Sequence, residues 1–455
     1  MFKTLGTAIC TSIVLSSAPV FADTRTDVTI ASPWEVASYD PAVVGFAIQK
    51  LQIMENLVDA DATGALRPGL ATEWVMSDDS LTWEFTLREG VTFHDGTPLD
   101  AAAVAGALNR AWEQPGVLKK APISGISAQE GKVVITVDKP FAALPAFLAH
   151  ATTIIPAPSA FDSDGKAVAL VGTGAFKVTE FTPPQSISLA RNDAYFLGVP
   201  EVAPDTVRLR YGLEAATVRT LIAQGEHDIS SQWLPPEVMS ALANDGAQLL
   251  TEGGTGAFYL KMNTTKAPLD DVNCRRAFAA AFDYQTAIQM VAITDDVSAG
   301  IPSTGAIPLG MFGANDVGNV QAQDLETAKR YLDSCSYDPA DMNIEVTWIA
   351  EVPIEERFAL LFQSNLSQLG VNSEIRKLPW ALFAEQVSSP ENTPHFSQIF
   401  VNAVTGDPDT LLSGMYHSSS LGTWQSPEYL KDAEVDALLE AGRKAASDAE
   451  REEAY

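Results

Sequence analysis

The sequence predicts an α/β protein of at least two lobes, and three observations carry that reading. Segments of period-two alternation and segments with helically spaced apolar residues follow one another along most of the chain. A glycine-rich tract, Glu252 to Gly256 (EGGTG), interrupts them past the midpoint and marks a hinge or linker. The 455 residues, 46% hydrophobic and 19% charged, suffice for about three domains of ordinary size and a sizeable core. Disorder, collagen and coiled coil are excluded as the main class.

Asp27 to Ile30 (DVTI) alternates as an entry strand, broken after Ser32 by Pro33 and Trp34. Lys50 to Val58 repeats apolar residues at helical spacing. Leu81 to Leu87 (LTWEFTL) alternates strictly and turns at Arg88-Glu89-Gly90. Asp100 caps a helix from Ala101 to Trp112 whose inner face is Val104, Leu108 and Trp112. Lys132 to Val137 is a strand, as are Phe176 to Phe181, Ile187 to Ala190 and Thr206 to Tyr211. A helix from Ala215 to Ala223 leads to a short strand at Asp228 to Ser230. Beyond the glycine tract the pattern predicts a strand at Ala257 to Met262 and one helix from Val272 to Met290. A helix at Leu325 to Leu332, a strand at Ile344 to Ile349 and a helix ending at Gly370 follow. Glu434 to Glu453 reads as one amphipathic helix with Val435, Leu438 and Leu439 inward. It carries no stop signal, so the chain is expected to end short of a complete fold.

The first 22 residues form a secretory signal: Lys3, an apolar run from Leu5 to Val14 too short to span a membrane, and a small-x-small site at Val20-Phe21-Ala22. Cleavage after Ala22 exports the mature chain. Cys10 lies inside the apolar run and cannot carry a lipid anchor, so the expected location is free periplasm and the chain is not membrane-embedded. Cys274 and Cys335 remain in an oxidising compartment, either as a disulfide or as two buried thiols.

With 29 basic and 58 acidic residues the net charge is −29, a field that repels phosphate backbones and disfavours nucleic acid as a partner. No HExxH, GxSxG, P-loop or CxxC motif is present. The histidines, His94, His150, His227, His395 and His417, stand at least 22 residues apart, so none form a helical metal pair. Asp59, Asp61 and Gly64 imitate a calcium loop, but Leu70 occupies the position that needs a bidentate Glu. The pentapeptide GTGAF occurs twice, at Gly172 and Gly254, before a strand each time. No catalytic residue, metal site or cofactor is expected.

The stretch Leu81 to Val104 (LTWEFTLREGVTFHDGTPLDAAAV) resembles the signature of the family 5 extracytoplasmic solute-binding proteins, which serve ABC importers of peptides, nickel and oligosaccharides. Tyr39-Asp40-Pro41, LRPGLATEW from Leu66, VGTGAFK from Val171, ARNDAY from Ala190, LKMNTT from Leu260, DVNCRRAFA from Asp271 and GDPDT from Gly406 resemble the same family in the same order. The resemblance implies a two-lobed clamshell: a first lobe from residue 23 to 252, with a subdomain inserted at about 50–167, and a second lobe from 253 onward. It also implies a missing tail that in the family returns to the first lobe. Relatives carry cysteines near Cys274 and Cys335, which favours the disulfide.

Such a protein makes and breaks no bond. Ligand touches both lobes, favours the closed state, and a permease with its ATPase reads that closure. The expected partners are a small-molecule or peptide ligand and that ABC complex, with the protein itself a monomer. An exported hydrolase or a sensor domain on the same fold is the alternative.

Candidate ligand contacts follow predicted strands: Trp34, Gln232 and Trp233, each weighed against surface packing, and Asn263, which either donates to ligand or braces the hinge. Arg357 is the basic group nearest the second-lobe cleft unless it lies on the solvent face of its helix. In Asn402 to Asp409 (NAVTGDPD), peptide-binding relatives place an acid for the ligand's α-ammonium three positions before the acid-Pro pair, and here that position is Val404. A valine cannot pair a buried ammonium. Thr405 and Asp407 are the remaining polar candidates in the loop, with Asp407 the acid able to substitute. Peptides, other amphipathic solutes, sugars and metal chelates all stay open as ligands.

Overall fold

The computed structural model describes residues 26–455 apart from 33–35, 62–63, 115, 184, 201–202, 212, 232–233, 251–253, 304, 315–321, 351, 404 and 446. The signal segment, Trp34, Gln232, Trp233 and Val404 thus lie outside the described residues.

Three main sheets organise the chain. The first contains β1 (Asp27–Ser32), β8 (Phe176–Thr182), β9 (Ser186–Arg191), β10 (Thr206–Tyr211) and β11 (Ile229–Ser230), in the order β11-β1-β10-β9-β8. Strand β1 runs parallel to both β10 and β11. The second, antiparallel throughout, is β4 (Ala71–Met76), β5 (Thr82–Leu87), β7 (Lys132–Val137) and β6 (Ile123–Gln129), reached through a small pair, β2 (Val58–Ala60) and β3 (Leu66–Pro68). The third orders β12 (Gly256–Met262), β15 (Phe396–Asn402), β13 (Asn343–Ile349) and β14 (Asn372–Leu378). In it β13 is parallel to both neighbours and β12 is antiparallel to β15.

Each sheet has its own core. Phe85, Leu108, Val133 and Phe141 belong to one around the second sheet, and Ile48, Ile187 and Leu209 to another beneath the first. The third sheet is buried on both faces. Ile344, Val346 and Phe396 pack against Phe278 and Phe362, while Ile349, Ile399 and Val401 pack against Phe383, Leu411 and Met415. A sheet covered on both sides buries successive positions of its strands, as β13 does from Val346 to Ile349.

Most elements form where the residue pattern places them, and three do not. The helix expected over Lys50–Val58 lies earlier, at Pro41–Lys50, because Asp40 caps the Ala42 N–H and Pro41 supplies the first turn. Gln52 then turns back with φ 53°, and Ile53, Met54 and Leu57 are buried as irregular chain between two cores. A Cβ on Gly174 would come 1.9 Å from the Gln52 carbonyl oxygen, so the second strand-entry glycine is what lets these backbones touch. The helix expected over Val272–Met290 is two, Val272–Ala281 and Tyr284–Met290, since Asp283 caps a new start at Thr286 N. The terminal helix also divides, into Ala433–Lys444 and Asp448–Ala454, where Ser447 and Glu450 form a capping box. Leu439 is buried as expected, but Leu438 is 47% exposed.

Cys274 and Cys335 are joined by a disulfide with Cα atoms 5.2 Å apart, tying the helix Val272–Ala281 to the end of Leu325–Asp333. Among the described residues no helix is long and apolar enough to cross a membrane.

Candidate functional site

Ligands of open, mainly parallel sheets sit outside the carboxyl ends of the strands. In the first sheet those ends are Ser32, Tyr211 and Ser230; in the third they are Ile349 and Asn402, beside the start of β12 at Gly256. Trp34, Gln232, Trp233 and Val404 stand two or three residues beyond three of these ends in the sequence.

One side-chain bridge joins helices that follow the two sets of strand ends. Glu237 lies in the first turn of Pro236–Asn244, after β11, and Arg357 near the start of Ile354–Gln368, after β13. One Arg357 guanidinium nitrogen donates to both Glu237 carboxylate oxygens at 2.7 Å. A hydrogen bond from its own backbone N–H in the first turn of the helix, and then the arginine, hold the Glu237 carboxyl below its ordinary range. Arg357 therefore ties a helix that follows the third sheet to one that follows the first, a contact that the solvent-face reading of its helix did not anticipate.

A second contact between the halves is pure backbone. The loop after β2 and the loop after β15 meet at Gly64 and Gly406, whose φ angles are +86° and +70°. A Cβ on Gly64 would lie 2.4 Å from the Gly406 carbonyl oxygen, and one on Gly406 would lie 2.5 Å from Gly64 Cα. Only glycine satisfies both the left-handed backbone and that approach. The Ala142 N–H also reaches the Arg443 carbonyl at 3.4 Å.

Behind Gly406 the loop is locked by charge. Asp407 caps the helix Pro408–Tyr416 by accepting from Asp409 N at 2.9 Å, and its other oxygen accepts from Arg451 Nη2 at 2.5 Å. Burial pushes the Asp407 carboxyl up, while Arg451 and the capping bond oppose that. Asp409 accepts from Arg443 Nε and from Ser413 Oγ. Thr405 is buried, with its hydroxyl 2.9 Å from that of Thr410. The role of substitute acid expected of Asp407 is thus replaced by a structural one: both its oxygens are engaged within the protein, and it is 7% exposed.

Asn263 braces the chain around it. It is 1% exposed, donates to the Pro390 and Thr393 carbonyls, and accepts from Thr265. Trp380 and Trp424 pack edge to face, centroids 5.2 Å apart, and Trp424 leans on the core. His94 is held within the fold: its Nε2 lies 2.9 Å from the Gly174 carbonyl oxygen, and burial pulls its pKa down. Of the eight expected contacts, the structure brings Thr405 and Asp407 together in one loop and sets Arg357 and Asn263 elsewhere. Sequence reasoning missed Glu237, Gly64, Gly406 and Arg451. For Gly406 a signal existed, a glycine directly before the Asp-Pro helix start; for the others only the fold supplies the partner.

Residues 65–423 match the family described as bacterial extracellular solute-binding proteins, family 5. The chain is 25% identical to the glutathione-binding protein GsiB of Escherichia coli O1:K1 / APEC, over 99% of this chain and 88% of that one. It is 27% identical to the probable D,D-dipeptide-binding periplasmic protein DdpA of Escherichia coli K12, over 81% and 72% of the two chains. The periplasmic binding protein DppA of Helicobacter pylori, solved with the peptide STSA, superposes with a TM-score of 0.75 at 22% identity, covering 95% of this chain and 90% of that one. With a family match over most of its length, the chain belongs to the family 5 bacterial extracellular solute-binding proteins.

Proposed function

We propose that this solute-binding protein works in the periplasm, released by cleavage after Ala22, and delivers a short peptide or peptide-like solute to an ABC permease and its ATPase. The lobes divide near residue 253, with the layer at about 50–167 inserted in the first, and the solute lies between the strand ends of the two. The observation that carries this reading is the Arg357–Glu237 bridge, a contact between helices that follow strands of the first and third sheets. The relatives named for glutathione and D,D-dipeptides support a peptide-sized ligand.

The solute's amino group is not read by the loop after β15. Val404 offers no charge, and Asp407 is neutralised by Arg451. Trp34, Gln232 and Trp233 stand as the polar and aromatic contacts, and the protein acts as a monomer without turnover. Isothermal titration with a dipeptide and with its N-acetyl form tests the reading. Equal affinities within about threefold are expected, since one lost charged contact is worth tenfold or more. A preference above about tenfold for the free amine would contradict it.

A further inference from the structure

On the face of the third sheet that packs against Phe383, Leu411 and Met415, three polar side chains form a row. Lys261 of β12 is paired in register with Ser397 of β15, and Ser397 with Thr347 of β13. Paired residues on adjacent strands project to the same side, so the three are neighbours across the sheet. Around them the face is apolar, with Ile349, Ile399 and Val401. Glu428 completes the group: its Oε2 lies 3.4 Å from Lys261 Nζ, and its Oε1 accepts from Ser426. Exposure is 0% at Thr347, 1% at Ser397, 5% at Glu428 and 6% at Lys261.

Ser397 Oγ and Thr347 Oγ1 lack a hydrogen-bond partner among the described residues, while Lys261 Nζ and Glu428 Oε2 meet each other in a 3.4 Å ion pair without a well-formed hydrogen bond. Two buried hydroxyls beside a long ion pair leave polar demand that folded proteins ordinarily meet. The Tyr416 ring, 4.1 Å from Nζ, meets only part of the ammonium's demand. We propose that the second-lobe core holds at least one ordered water bridging Lys261, Ser397, Thr347 and Glu428. Water is the ligand class that fits. It donates and accepts together, as an ammonium, two hydroxyls and a carboxylate require. Lys261 and Glu428 already balance in charge, so a bound ion would leave an uncompensated charge in the core. Burial drives the lysine pKa down and the glutamate pKa up, and a bridging water relieves both.

A crystal structure of the full chain, at a resolution that places waters, together with the melting temperature of Thr347→Val tests this. The expected result is water density within hydrogen-bond distance of at least two of the four atoms. Thr347→Val keeps the side-chain shape, so removing a hydroxyl that water satisfies lowers Tm by about 1–2 °C. Removing a hydroxyl that has no partner raises Tm. A dry site with the four groups rotated into direct bonds, or a Tm unchanged or raised in Thr347→Val, would overturn the proposal.

Discussion

Arg357 and Glu237 lie 120 residues apart, after strands of different sheets, and meet through a guanidinium nitrogen that is 2.7 Å from both carboxylate oxygens. The pair is part-exposed, at 38% and 60% for its side chains, so salt screens it and its worth is about 0.2–1 kcal/mol. If the pair forms only as the lobes close, its contribution enters the closing step. Arg357→Ala and Glu237→Gln should each weaken ligand affinity by about two- to fivefold. The two changes together should cost no more than one alone, and the gap from wild type should shrink at high salt in a titration series.

Gly406 makes a sharper demand. Alanine there takes a left-handed backbone at a cost of about 1–2 kcal/mol and drives its Cβ into Gly64. If the loops meet only on closure, Gly406→Ala biases the protein open and weakens ligand affinity about tenfold or more. Circular dichroism should show an unchanged fold. Small-angle scattering with saturating ligand should show a larger radius of gyration than wild type.

Breaking the charge pair behind that loop acts on stability instead. Arg451→Met leaves the Asp407 carboxylate buried without its cation, at a cost of about 3–5 kcal/mol. Urea denaturation should show that loss. The double change Arg451→Met with Asp407→Asn should recover part of it.

Glu355 predicts a pH dependence of defined sign. It is fully buried, one oxygen accepts from Ile349 N at 2.9 Å, and burial pushes its pKa up to about 8. The unfolded chain ionises this group near 4.5 while the folded chain keeps it protonated. Its contribution to stability is therefore complete below about pH 4.5 and is lost as pH rises toward 8. Glu355→Gln stays neutral and keeps the acceptor for Ile349, so its Tm relative to wild type should climb between about pH 5 and pH 8.5. A difference that is flat in pH would refute the assignment.

The fold was legible where one face of a strand is wet or a helix carries a cap. Leu81 to Leu87 alternates because alternate positions of β5 are buried, and Asp100 announces its helix by bonding to Ala103 N. Strand β15 was not legible, since FSQIFVN is buried on both faces and carries Ser397 and Gln398 inside. The segment after Lys50 misled because Ile53, Met54 and Leu57 are buried by two separate cores, which spaces apolar residues without any helix. For the site, sequence order put Val404, Thr405 and Asp407 at a strand end. The partner that neutralises Asp407 lies 44 residues on, at Arg451, and no local pattern marks it.

Native mass spectrometry of the protein purified from periplasm with its retained solute tests the central claim most directly. The account predicts one protein bearing one solute, in a set of bound masses separated by amino-acid residue values or a single mass of peptide composition. A bound mass that contains no amino-acid building block would contradict the peptide reading, and a ligand consumed to product during incubation would contradict a solute-binding role.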